Sequence, residues 1–144
     1  MKEMETVKAI IHRENQNFLL LKLRNRDVWQ FVTGHIEGGE SKLETVKREM
    51  KEEVGLEEDK IESIKRMDIK DSFCEKNYKI TSTLFLVEVG KDFDVDIYKN
   101  PEEEHEDFEW IRKEQVSKKL NFSNQKDFFE MVIKFLENIQ KSEN

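Results

Sequence analysis

Residues 34–56 read GHIEGGESKLETVKREMKEEVGL, and the fold turns on this stretch. Ser41 and Glu44 stand three apart at the head of a periodic run, the S-x-x-E pattern in which side chains and backbone cap each other at a helix start. Leu43, Val46, Met50 and Val54 recur every three or four residues, so one helix face is apolar. Gly55 stands where a left-handed C-terminal residue belongs. A helix over 41–54 follows. Glu49, Glu52 and Glu53 fall on one flank of it, beside the apolar face, although like charges at this spacing weaken a helix. Such a triplet is often only a solvated surface. Here Arg48 lies four residues from both Glu44 and Glu52, where it can pin carboxylate geometry. Gly34, Gly38 and Gly39 in the preceding loop allow close backbone approach to a ligand. Carboxylates clustered with a backbone carbonyl are hard oxygen donors suited to Mg²⁺ or Mn²⁺.

Outward from this helix, short apolar runs predict strands. Val7–Ile11 and Phe18–Leu23, separated by the polar cluster Glu14–Asn17, read as a hairpin. Trp29–Thr33 is a third strand, Ile61–Phe73 an edge strand, Ile80–Val89 the strongest strand, and Phe108–Ile111 another short one. A last helix over about 124–140 carries the stripe Phe128, Phe129, Val132, Phe135, Leu136 and Ile139, whose simplest use is core packing. This order predicts an α/β (α+β) fold, a mixed sheet sandwiched between helices. Without a repeat or a Pro/Gly/Ser linker, residues 1–144 read as one domain.

Composition narrows the function. The chain has 144 residues with 32 acids, 25 bases and a net charge of −7. A 40% charged, 36% hydrophobic chain raises the question of disorder, which 10 Phe and the periodic runs answer. The acidic balance argues against nucleic acid and against an anionic membrane as partners. Phosphate ligands would need a cation to mediate. No stretch approaches the ~20 apolar residues of a membrane span, and the acidic start Met1–Glu5 does not read as a signal peptide. The expectation is a soluble, cytoplasmic protein. The single Cys74 excludes an internal disulfide. His12, His35 and His105 lack metal-ligand spacing and read as surface or loop residues.

Two motifs mislead. Gly34-x-x-x-x-Gly39 is followed by Glu40-Ser41 where a phosphate-binding loop needs lysine, which inverts the electrostatics. Asp92-x-Asp94-x-Asp96 mimics a calcium loop, but Ile97 takes the position that requires glycine and Pro101 interrupts it.

Gly34-x5-Glu40-x7-Arg48-Glu49-Met50-x-Glu52-Glu53-x-Gly55-Leu56 resembles the Nudix box, G-x5-E-x7-R-E-U-x-E-E-x-G-U with U a bulky apolar residue. Every defined position matches. Trp29–Gly34 leading into the box, Glu104-His105 ahead of Trp110, and Phe122-Ser123-Asn124 opening the last helix are similar to the bacterial dihydroneopterin triphosphate / dATP pyrophosphohydrolase group. The resemblance implies a Nudix fold and a Mg²⁺-dependent (or Mn²⁺-dependent) pyrophosphohydrolase. It would convert a nucleoside or pterin triphosphate to monophosphate and pyrophosphate by activated water. Glu49, Glu52 and Glu53 would ligate metal with the Gly34 carbonyl. Arg48 would orient Glu49, and Glu40 would brace it. Glu104 would join the metal site and, with Glu53, is a candidate to accept the proton of water. Asn124 matches a region where MutT-like members contact the base, and Trp29 and Gln30 are pocket candidates, Trp29 equally a core aromatic. The partner would be a small nucleotide-like molecule. Hydrolysis of dinucleoside polyphosphates or nucleotide sugars stays open, as does a non-catalytic nucleotide-sensing domain, against which the intact acids stand. The sequence leaves the oligomeric state unread.

Overall fold

The two longest strands of the chain lie side by side, and their parallel pairing organises everything else. The computed structural model describes residues 1–143. Its strands are β1 (Lys2–Arg13), β2 (Asn17–Leu23), β3 (Trp29–Gln30), β4 (Val32–His35), β5 (Ile61–Arg66), β6 (Asp71–Glu75), β7 (Tyr78–Val89) and β8 (His105–Arg112). Its helices are α1 (Lys42–Val54), α2 (Lys113–Lys119) and α3 (Ser123–Glu143). β1 and β7 pair in parallel from Lys2 opposite Tyr78 to His12 opposite Glu88. The other edge of β1 is divided: β4 pairs antiparallel with Thr6–Ala9, and β2 with His12 and Arg13. β8 continues beyond β2, while β5 and β6 share the far edge of β7.

Side chains of a strand alternate between faces, and here both faces are covered. Val7, Ala9 and Ile11 join Val46, Met50 and Val54 of α1 in one core. Ile10, Phe18 and Leu20 join Phe128, Phe129, Val132 and Leu136 of α3 in the other. The Phe18 and Phe129 rings meet edge-on at 4.9 Å, the arrangement that aromatic quadrupoles favour. Complete burial of each such side chain stabilises the fold by roughly 1.5–3 kcal/mol. This two-sided cover explains why the strands read as continuous apolar runs. The result is the predicted mixed sheet between helices. Among the described residues, no helix is long and apolar enough to cross a membrane.

Local signals translate faithfully around α1. Ser41 accepts from the Glu44 backbone while Glu44 accepts from Ser41, completing the capping box, and Gly55 takes the left-handed conformation at φ 69°. The β1–β2 turn uses two left-handed residues, Glu14 and Asn15, as a tight hairpin requires.

Elsewhere the structure differs from the sequence reading. The predicted edge strand over 61–73 is two strands, β5 and β6, both on β7, with Met67–Lys70 between them. Trp29–Thr33 is also two strands, because β3 pairs with β2 and β4 crosses to β1. Leu43 is 40% exposed and Ile139 36%, so neither serves the core. Helix α2 has no sequence forecast: it is about two polar turns anchored by Val116, too short for a periodic signature. His12 and His105 are buried rather than on the surface. The Asp92–Asp96 loop serves its own structure, with Asp92 paired to Lys60 and Asp96 accepting from the Tyr98 backbone.

Candidate active site

Arg48 organises the acidic flank of α1. Its Nε donates to Glu40 Oε2 at 2.7 Å and its Nη2 to Glu40 Oε1 at 3.0 Å, a two-pronged pair. Its Nη1 reaches Glu49 Oε1 at 2.9 Å and Glu52 Oε2 at 3.4 Å. Nη2 also donates to the His35 carbonyl at 3.1 Å, tying α1 to the end of β4. The Arg48 hydrogen bond holds the Glu40 carboxyl down to about 2, so it stays ionised. The predicted partnership of Arg48 with Glu44 is absent, since Glu44 is engaged in the helix cap.

The three box acids differ. Glu52 is half exposed, Glu49 is mostly covered, and Glu53 is 3% exposed. Glu53 Oε2 has no hydrogen-bond partner. Burial, then the charges of Glu49 and Glu104, push its carboxyl well above the usual range, against a hydrogen bond from the Thr33 backbone. Burial also raises Glu49, opposed by Arg48. These acids line a cavity of about 480 Å³ together with Gly34 and Glu104. A Cβ added at Gly34 would fall on the Glu49 carboxyl and push it aside, so glycine here lets that carboxyl lie against β4. A buried, unpartnered carboxylate oxygen among further carboxylates fits a hard divalent cation, which would relieve both the mutual repulsion and the missing bond.

Glu104 enters from a loop 51 positions beyond Glu53. The loop is latched to the end of β2: the Arg24 backbone donates to the Glu104 carbonyl at 2.9 Å, and Arg24 Nε donates to the Glu103 carbonyl at 2.7 Å. Glu103 adopts a left-handed φ of 48° to make the bend. Burial, then hydrogen bonding with Glu102, raises Glu104 to about 7. One ligand atom each from Glu53, Glu104 and His105 lies within 4.8 Å of the others. Burial pushes His105 down to about 4, so its ring is neutral at physiological pH. Its Nε2 lies 3.4 Å from Gln30 Nε2.

A second cavity, of about 410 Å³, adjoins the first. Thr6, Thr33 and His35 of the β1–β4 ladder line both. The second is lined by Lys8, Gln30, Phe73, Phe122, Asn124 and Gln125. Phe122 is 48% exposed at its rim. Asn124 Nδ2 donates to Asp71 Oδ1 at 2.9 Å.

The structure therefore gathers Gly34, Arg48, Glu49, Glu52, Glu53 and Glu104 on one cavity, with Glu40 behind Arg48. Gln30 and Asn124 lie on the other. Trp29 lines neither: its indole is 7% exposed in the α3-side core, with Lys119 Nζ 4.4 Å from the ring centroid. The sequence reading missed His105, Lys8, Asp71 and Phe122. Lys8 carried a signal as a charge inside an apolar strand run, and His105 and Phe122 stood in the stretches that carry the family resemblance without a role assigned to them.

The NUDIX domain model matches residues 2–132. The asymmetrical bis(5'-nucleosyl)-tetraphosphatase of Mus musculus is 30% identical over 98 residues, which cover 68% of this chain and 65% of the mouse protein. A C. elegans Ap4A hydrolase binary complex shares the fold with TM-score 0.79 at 19% identity, covering 94% of this chain and 98% of that one. The E. coli dihydroneopterin triphosphate pyrophosphohydrolase does so with TM-score 0.76 at 18% identity, covering 92% and 98%. This chain belongs to the Nudix hydrolase family, whose members generally use a divalent metal. The narrower likeness to the dihydroneopterin group is matched by that to the Ap4A hydrolases, and the family is the level that both support.

Proposed function

We propose that the chain is a Mg²⁺-dependent pyrophosphohydrolase that cleaves a nucleoside or pterin triphosphate to a monophosphate and pyrophosphate. The observation that carries this reading is Glu53, buried and unpartnered between Glu49 and Glu104 beside a heterocycle-sized cavity. Glu49, Glu52, Glu53, Glu104 and the Gly34 carbonyl would hold the cation. When bound, Mg²⁺ neutralises phosphate charge and lowers the pKa of an attacking water. Glu53 accepts the proton of that water, with Glu104 as the alternative base. Arg48, itself held by Glu40, keeps Glu49 in place. Gln30 and Asn124 orient the heterocycle in the second cavity, which sets the phosphates across the Thr6–Thr33 wall. Water adds to one phosphorus as its bridging bond to pyrophosphate breaks, and no covalent enzyme intermediate is required.

A second reading, hydrolysis of a dinucleoside polyphosphate, is favoured by the likeness to the mouse tetraphosphatase. A panel of dATP, dihydroneopterin triphosphate, diadenosine tetraphosphate and ADP-ribose with Mg²⁺ separates the two. Pyrophosphate released from the triphosphates is expected. Turnover confined to diadenosine tetraphosphate or to ADP-ribose overturns the first reading.

A further inference from the structure

Lys8 belongs neither to the box nor to the chemistry proposed above. It stands in β1 among the buried Val7, Ala9 and Ile10, with its side chain 6% exposed. Its Nζ donates to Asp71 Oδ2 at 2.6 Å, and Asp71, 1% exposed, accepts from Asn124 through its other oxygen. The centroid of the Phe73 ring lies 4.7 Å from Nζ and that of Phe128 5.5 Å. A buried ion pair contributes little net stability, because two charges must be stripped of water. An apolar pair would pack as well there. An ammonium carries three N–H donors. Among the described residues, the Lys8 ammonium makes one hydrogen bond, to Asp71. Lys8 also lines the second cavity beside Gln30 and Asn124. Apart from the two rings that flank the ammonium, no protein oxygen among the described residues takes up its remaining N–H groups.

We propose that Lys8 is a specificity residue whose spare N–H groups receive a carbonyl oxygen of the bound heterocycle, so that the site prefers oxo-heterocycles, of the 6-oxopurine or pterin kind, to 6-aminopurines. This rests on the reading that the second cavity seats the heterocycle. An amino group in place of the carbonyl would set donor against donor and leave a buried N–H without an acceptor, a mismatch that discriminates strongly. Asp71 fixes the ammonium and, by accepting from the Asn124 amide, turns the neighbouring carbonyl of Asn124 into an acceptor for an adjacent ring N–H.

The test compares dITP with dATP on the full chain with Mg²⁺, in the wild type and in Lys8→Met. Because Lys8→Met strands the Asp71 charge, Lys8→Met/Asp71→Asn is measured beside it, with thermal unfolding as a check on folding. The expected wild-type kcat/KM favours dITP by about tenfold, the lower end for one hydrogen bond to a charged donor. Both variants should erase that ratio. A wild-type preference for dATP, or an unchanged ratio in a folded variant, overturns the role of Lys8 while leaving the triphosphatase reading intact. Absence of turnover on both triphosphates, with turnover of inosine- and adenosine-based dinucleoside tetraphosphates at equal rates, overturns both.

Discussion

Two cavities share the Thr6–Thr33 wall, yet they are built on opposite principles. The first is crowded with acids, one of them buried with an oxygen that has no partner among the described residues, and on the proposed function a cation would complete it. The second has its buried cation already in place, satisfied by Asp71 and framed by aromatic rings. On the proposed function, the charge left unsatisfied in the first would serve catalysis and the charge satisfied in the second would serve recognition. A nucleotide would then place its phosphates in one cavity and its heterocycle in the other.

Substitutions that respect this division should separate kcat from KM. The largest effect is expected for Glu53→Gln, which keeps the shape and removes the charge: kcat should fall by about 10³-fold, within the usual range for a general base, while thermal unfolding shows no loss of stability. Near-wild-type kcat would remove Glu53 from the chemistry. Glu104→Ala should next lower Mg²⁺-dependent activity about tenfold or more relative to Glu103→Ala, as loss of a supporting metal-site group does. Equal losses would mean that the Arg24-latched loop does not deliver Glu104 to the metal. In the second cavity, Phe122→Ala should raise KM about tenfold with little change in kcat, the scale of one lost stacking contact. A fall in kcat instead would blur the distinction between the cavities.

The smallest effect concerns pH. Glu104 is raised to about 7 and Glu53 is also raised, chiefly by burial, so the folded metal-free protein holds protons that the unfolded chain releases above about 4.5. Their contribution is complete below that pH and is lost as pH climbs through about 7. His12 runs the other way: burial lowers it to about 4, so its contribution is complete above about 6.5 and is lost as pH falls toward 4. The metal-free Tm should therefore peak between these limits. Added Mg²⁺ should raise Tm by about 3–5 °C more at pH 8 than at pH 5.5. An equal rise at both would indicate binding away from the carboxylates.

How legible these features were depended on the range of the interactions behind them. The capping box, the Gly55 stop and the line of acids on α1 are all set by residues three or four apart, and they appear in the structure where the spacing puts them. Strand positions were readable from apolar runs, but their ends were not. β3 and β4 separate because Phe31 carries the chain from one neighbour to another, which no run of residue types announces. Trp29, by its place before the box equally a pocket or a core residue, has its ring in the core.

From the sequence alone came the helix with its carboxylates, the two-faced sheet and the need for a cation, because each follows from local spacing or net charge. The family resemblance implied that Glu104 joins the box acids, and the tertiary structure alone decided which carboxylate is buried and that Lys8, Asp71 and Asn124 meet. Those last contacts span 63 and 53 residues. They form only when β6 pairs with β7 beside β1 and α3 packs over that face, and contacts across such distances leave no period in the chain.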